Sequence, residues 1–167
     1  MSNSIAEKSK RPKTISTEIV MNLVYTVFTL YTKGEIQMEQ IWTEMYQAAK
    51  EVLKPRDVSK RIEAGGVAAA VESGSGKIYV GVCVDTACTL GICAERNAIF
   101  NMITNGEDEI KRVIAISSEG KAMPPCGACR EFMTQLMPEN YKKIEIMMGY
   151  EENRVVTLDK LTPEWWL

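Results

Sequence analysis

The chain has 167 residues, a formal net charge of −2, no histidine and five cysteines. That length suits one domain with a real core, and the charge gives no basic footprint, which argues against polymeric nucleic acid as a partner. The lack of histidine excludes imidazole-ligated metals and histidine-based triads. An odd cysteine count with three in metal spacing argues for a reducing, cytoplasmic setting rather than a disulfide framework.

Residues 1–37 read as an N-terminal extension. Lys8, Lys10, Arg11 and Lys13 precede an apolar stretch over 19–30, a superficial likeness to a secretory leader. Asn22, Thr26 and Thr29 interrupt that stretch, which is shorter than the ~20 residues of a membrane span. Lys33-Gly34-Glu35 follows it instead of a small-residue cleavage site, so no membrane partner is expected. A purine run encoding Lys-Gly-Glu would read as a bacterial ribosome-binding site just before Met38. The expectation is that translation starts at Met38 and that residues 38–167 form the functional domain.

The periodic elements begin with a helix over 40–53, where Ile41, Met45, Ala48, Ala49 and Val52 share a face and Pro55 ends the run. Small apolar residues over 66–71, the turn Gly74-Ser75-Gly76, and alternation of Ile78, Val80, Val82 and Val84 over 77–84 predict a hairpin. A helix over 93–104 buries Ala98, Ile99, Met102 and Ile103 and stops at Asn105-Gly106. A short strand over 113–117 follows. A helix over 126–136 turns Phe132, Met133 and Leu136 inward, and strands over 144–148 and 155–157 complete the chain.

Two blocks carry chemistry: Cys93-Ala94-Glu95 and Pro125-Cys126-Gly127-Ala128-Cys129. Three cysteines supply three soft ligands for one zinc ion and leave a fourth position for water, the mark of a catalytic site. A glutamate two residues after the first ligand can take a proton from that water and pass it on. A Cys ligand, x-Glu, then Pro-Cys-x-x-Cys is the signature of zinc-dependent deaminases. Cys126 and Cys129, three apart on a helix, share one face. A plain alternative pairs Cys88 and Cys93 with Cys126 and Cys129 as a closed four-cysteine zinc site in an interaction module. That reading leaves Glu95 and Arg96 without a purpose.

Through residues 91–99 (Gly-Ile-Cys-Ala-Glu-Arg-Asn-Ala-Ile), residues 125–130 and a weaker match at Val67-Ala68-Ala69-Ala70, the chain from about Met38 onward resembles the small cytidine deaminase family, which includes blasticidin-S deaminase. The resemblance implies a zinc aminohydrolase that replaces an exocyclic amine with a carbonyl oxygen. It implies one zinc per subunit on Cys93, Cys126 and Cys129, Glu95 as proton carrier, and Arg96 as donor to the ligand sulfurs. Three thiolates on Zn²⁺ leave a net negative centre, which a nearby guanidinium offsets. The implied fold is α/β, a three-layer α/β/α sandwich around a mixed five-stranded sheet. Cys93 and Cys126 would begin neighbouring helices, where thiolates are stabilised.

The implied substrate is a small cytosine-type molecule, cytidine or deoxycytidine, as in pyrimidine salvage. A blasticidin-S-like or other aminated heterocycle is the alternative. Cytidine-specific relatives read ribose with an Asn-x-Glu pair whose positions here are Cys83 and Asp85, so poorer nucleoside use is expected. Ala94 and Pro125 complete the candidate substrate contacts. The family's aromatic pocket wall is Gly65 here. Trp165-Trp166 reads as core, as a pocket cover, or as an interface of the homotetramer that the resemblance implies.

Overall fold

The computed structural model describes residue 21 and residues 40–166. The chain divides into two compact units, Met1–Gln40 and Ile41–Leu167. The proposed extension over residues 1–37 lies outside the described residues, Met21 excepted. No helix among the described residues is long and apolar enough to cross a membrane.

Helix α1, residues 40–52, carries the chain into the second unit at Ile41. Met45 and Ala49 are buried at their expected spacing, and Trp42, which the periodic reading passed over, is buried with them. The sheet strands are β1 (Arg56–Ser59), β2 (Ile62–Ser73), β3 (Ile78–Thr86), β4 (Ile110–Ser117), β5 (Ala122–Met123), β6 (Glu145–Gly149) and β7 (Arg154–Thr157). Helices α2 (Ala94–Thr104), α3 (Gly127–Leu136) and the short α4 (Leu158–Leu161) complete the unit. The spine of the sheet runs β3-β2-β4-β6-β7, with β4 and β6 parallel and the other pairs antiparallel.

Those five strands are the ones expected, and the mixed α/β class holds. The sheet has seven strands rather than five because β1 pairs with the start of β2 and β5 with the end of β4. All four residues of β1 are exposed, and β5 has only two residues, so neither carries an apolar alternation.

Alternation across the sheet builds two cores. Ala69, Val71, Val113, Ala115 and Ile146 pack with Ala98, Ile99 and Met102 of α2 and Met133 of α3. Ala68, Ala70, Ile114, Ile116 and Met147 pack with Trp42, Met45 and Ala49 of α1 on the other face. Successive strand residues point to opposite faces, so a central strand covered on both sides must be apolar throughout. Ile103, expected in the buried stripe of α2, is 41% exposed; the stripe is narrower and runs through Ala94, Ala98, Ile99 and Met102.

Two devices fix the helices on the sheet. A Cβ on Gly81 of β3 would lie 2.3 Å from the Ala98 nitrogen and 2.7 Å from the Ala94 carbonyl, so α2 rests directly on strand backbone. Asn97 and Asn101 of α2 donate through Nδ2 to the Val82 and Val80 carbonyls at 2.9 and 3.2 Å. On the opposite face, Arg112 of β4 pairs with Glu72 of β2 at 2.7 Å and Glu145 of β6 at 2.8 Å. Its guanidinium lies 5.9 Å from the Trp42 ring, joining α1 to this cross-strand ion pair.

Candidate metal centre and reaction cavity

After β3 the chain folds back on itself. Val84 and Ile92 exchange backbone hydrogen bonds of 3.0 and 2.9 Å, which delivers Cys93 as the N-cap of α2. Cys126 is the N-cap of α3. Arg130 holds the turn before it, donating Nε to the Pro125 carbonyl at 2.8 Å and Nη1 to the Leu161 carbonyl at 3.2 Å. Neither cap residue uses its side chain to cap its helix, so both sulfurs are free for other work.

Cys93 Sγ lies 3.4 Å from Cys126 Sγ, and Cys126 Sγ lies 3.6 Å from Cys129 Sγ. All three sulfurs fall within 4.8 Å of one another, and they form the only such potential ligand cluster among the described residues. A tetrahedral zinc at ~2.3 Å from each sulfur sets sulfur–sulfur separations near ~3.8 Å, so the donor set fits that ion with little movement. Cys88 stands apart, exposed on a 3₁₀ turn, and does not join the cluster as a four-cysteine site requires.

Burial pushes the Cys129 thiol far up, and the nearby Glu95 carboxylate adds to that. Burial also raises Cys93, with the Cys126 thiol adding to it and Arg96 opposing. At Cys126 burial works against ionisation, but backbone N–H groups of Cys129 and Ala128 and the two neighbouring thiols outweigh it, and the net shift is downward. A cation bound among the sulfurs would supply the balance that Cys129 lacks.

Arg96 lies one turn along α2 and reaches Cys93 Sγ with Nη2 at 3.9 Å. Its charged form is favoured mainly by that contact. Glu95 is 5% exposed in the first turn of α2, and its carboxylate makes no hydrogen bond or ion pair within the described residues. Its carboxylate belongs to the wall of a cavity of about 450 Å³, a size suited to a small heterocyclic ligand.

That cavity gathers most of the residues singled out from sequence. Cys93, Glu95, Arg96, Cys126, Cys83, Asp85 and Ala94 all line it. Cys129 is buried behind its floor. Pro125 is buried outside the lining, and the proline at the wall is Pro124. Thr86, Thr89 and Met123 also line it, and no sequence motif marked them. Thr89 owes its place to a turn in which Cys88 and Thr89 both take positive φ, 59° and 57°.

Trp165 and Trp166 do not line the cavity. Their indole nitrogens donate to the two carboxylate oxygens of Glu131 on α3, each at 3.0 Å, and Trp165 packs at 5.6 Å against Tyr141. Trp166 remains 71% exposed.

Residues 39–145 match the family model for the cytidine and deoxycytidylate deaminase zinc-binding region. The chain is 29% identical over 100 residues to a cytidine deaminase of Halalkalibacterium halodurans, spanning 58% of this chain and 74% of that one. It is 37% identical over 68 residues to a probable cytidine deaminase of Dictyostelium discoideum, covering 40% of this chain and 46% of that one. Among solved structures, cytidine deaminase from Mycobacterium tuberculosis superposes with a TM-score of 0.62 at 20% identity, covering 75% of this chain and 97% of that one. The Burkholderia pseudomallei cytidine deaminase does so with 0.59 at 26% identity, over 74% and 98%.

Proposed function

This chain belongs to the cytidine and deoxycytidylate deaminase family, and from that premise we propose that it hydrolyses a cytosine-type substrate, cytidine or deoxycytidine, to the uracil product and ammonia. One observation carries the reading: three cysteine sulfurs converge at a cavity whose wall also holds a buried glutamate with no hydrogen-bond or ion-pair partner for its carboxylate among the described residues.

Zinc on Cys93, Cys126 and Cys129 would supply Lewis-acid activation of a water molecule. Glu95 takes one proton from the attacking water and delivers it to the ring nitrogen; it then takes the remaining proton from the hydroxyl newly attached to the ring carbon and gives it to the amine as the C–N bond breaks and the carbonyl forms. The enclosed position of Glu95 keeps that proton from bulk solvent. Arg96 offsets the thiolate charge from beside Cys93. Ala94, at the cavity wall on the first turn of α2, brings its backbone close to the heterocycle. Asp85 accepts from substrate hydroxyls.

Cys83 and Asp85 in place of an amide-and-glutamate pair weaken sugar recognition. A site that loses designed hydrogen-bond partners can forfeit up to ~10⁴ in kcat/KM. A second reading is a blasticidin-like or other aminated heterocycle bearing a polar arm. It is favoured by a second cavity of about 420 Å³ that shares Asp85 and Thr86 with the first and is lined by Asp57, Lys60, Arg61 and Glu63.

The native product of this proposal starts at Met38 and works in the cytoplasm as a homotetramer. The exposed Trp166 and Leu90 are the apolar groups a neighbouring subunit would cover.

The test is ammonia release by zinc-loaded protein from cytidine, deoxycytidine, cytosine, blasticidin S and aminated purines. Cytidine and deoxycytidine are expected to react with kcat/KM below ~10⁶ M⁻¹s⁻¹. Preference for a substrate with a cationic arm would favour the second reading. Ammonia from none of them, with metal fully bound, would overturn both.

A further inference from the structure

The geometry points to Cys83 as a positioning residue: its thiol ties a bulge in β2 to the carboxylate of Asp85 and thereby aims Asp85 into the cavity. This rests on the deaminase reading of the same cavity, but assigns Cys83 a role other than substrate contact.

Strand β2 is irregular where it passes the site. Ala64 pairs with Val84 and Ala68 with Val82, so β2 spends four residues where β3 spends two. Gly65 sits at the break with φ +80°, and a Cβ there would lie 2.3 Å from the Lys54 carbonyl, so neither the conformation nor the space admits another residue. A bulge of this kind takes backbone groups out of the ladder. The Val67 N–H is one of them, and it donates to Cys83 Sγ at 3.2 Å. The same sulfur lies over Gly66, 3.9 Å from where a Cβ would stand.

Having accepted from Val67, the thiol gives its single proton to Asp85 Oδ2 at 3.5 Å. It has no second proton for a ligand. The reader of the substrate on this side of the cavity is therefore Asp85, and a carboxylate only accepts. Asp85 needs holding. It lies directly across from Glu63 of β2, which lies across from Asp57 of β1, so three carboxylates stand in register on adjacent strands. Like charges opposed in this way repel. Among the described residues none of the three has an ion-pair partner. The Cys83 thiol is the group that draws Asp85 back against that repulsion.

A double-mutant cycle tests this. Cys83→Ala should raise KM for cytidine about tenfold, the scale of one hydrogen bond to a charged group, with kcat within about threefold. In an Asp85→Ala background the same change should add less than about twofold, and Cys83→Ser should restore most of the lost KM. An equal KM penalty in both backgrounds, or a loss falling on kcat, would overturn the assignment. The infrared S–H band gives a second arm independent of turnover. The band removed by Cys83→Ala should lie below that of the exposed Cys88 thiol and rise in Asp85→Ala; a band that does not move sinks the proposal. Absence of ammonia release from zinc-loaded wild type would instead bring down the deaminase reading and leave the infrared arm to decide on Cys83.

Discussion

Glu95 combines burial, a first-turn position on α2, a place in the cavity wall and a carboxylate without a hydrogen-bond or ion-pair partner among the described residues. Glu95→Ala is expected to keep one zinc per chain while lowering kcat by at least ~10², measured by metal content and ammonia release on one preparation. Retained turnover would remove it from the mechanism. The cysteines divide just as sharply. Cys129→Ser should empty the site of metal, while Cys88→Ser leaves zinc content unchanged, since Cys88 stands outside the sulfur cluster. Equal loss from both would restore the four-cysteine alternative. These residues were readable beforehand because ligand spacing and the adjoining glutamate are properties of the linear chain. Cys83 was not readable in the same way. Its partners are an amide freed by a bulge and a carboxylate two residues on, and a bulge is invisible until strand register is known. Pro125, a candidate substrate contact by sequence, lies outside the cavity lining: its carbonyl accepts from Arg130, and the proline at the wall is Pro124.

At the level of elements, strands and helices with a clear apolar period stood out from sequence, and the exposed β1 and the two-residue β5 did not. β1 is charged and fully exposed, held by pairing alone. Trp42 and Arg112 meet across α1 and β4, a contact no local pattern announces. The loop after α2 is likewise organised by a distant hairpin. Glu107 accepts from Ser75 and Tyr79 and pairs with Lys77 at 3.0 Å, closing the β2–β3 turn against the end of α2. Hydrogen bonds from Ser73 and Ser75, then from Lys77 and Tyr79, lower its carboxyl from 4.5 to about 2. A depressed folded-state value means the contribution is full above 4.5 and fades as pH falls through about 2. Thermal melts of Glu107→Gln should therefore fall below wild type at pH 6, with the gap closing between pH 4.5 and pH 2. A gap that does not change with pH would show that the carboxylate charge is not what this network holds.

For the molecule as a whole, a chain beginning at Met38 is expected to match the full-length protein in zinc content, melting temperature and kcat/KM. A loss of more than about tenfold in kcat/KM would give residues 1–37 a part in the enzyme. The three sulfurs come from the starts of two helices, with β4 and β5 folded between them. An unfolded chain scatters them, so an ion held by all three binds only the assembled protein. With zinc as that ion, stability would cease to be a constant of the sequence and become a function of the free zinc around it. At a hundred times the dissociation constant, mass action adds ~2.7 kcal/mol, which a chelator would withdraw as a fall of roughly 5–10 °C in Tm. A newly made chain in a zinc-poor setting would carry Glu95 on a loosened frame, and the metal supply would set how much of it persists.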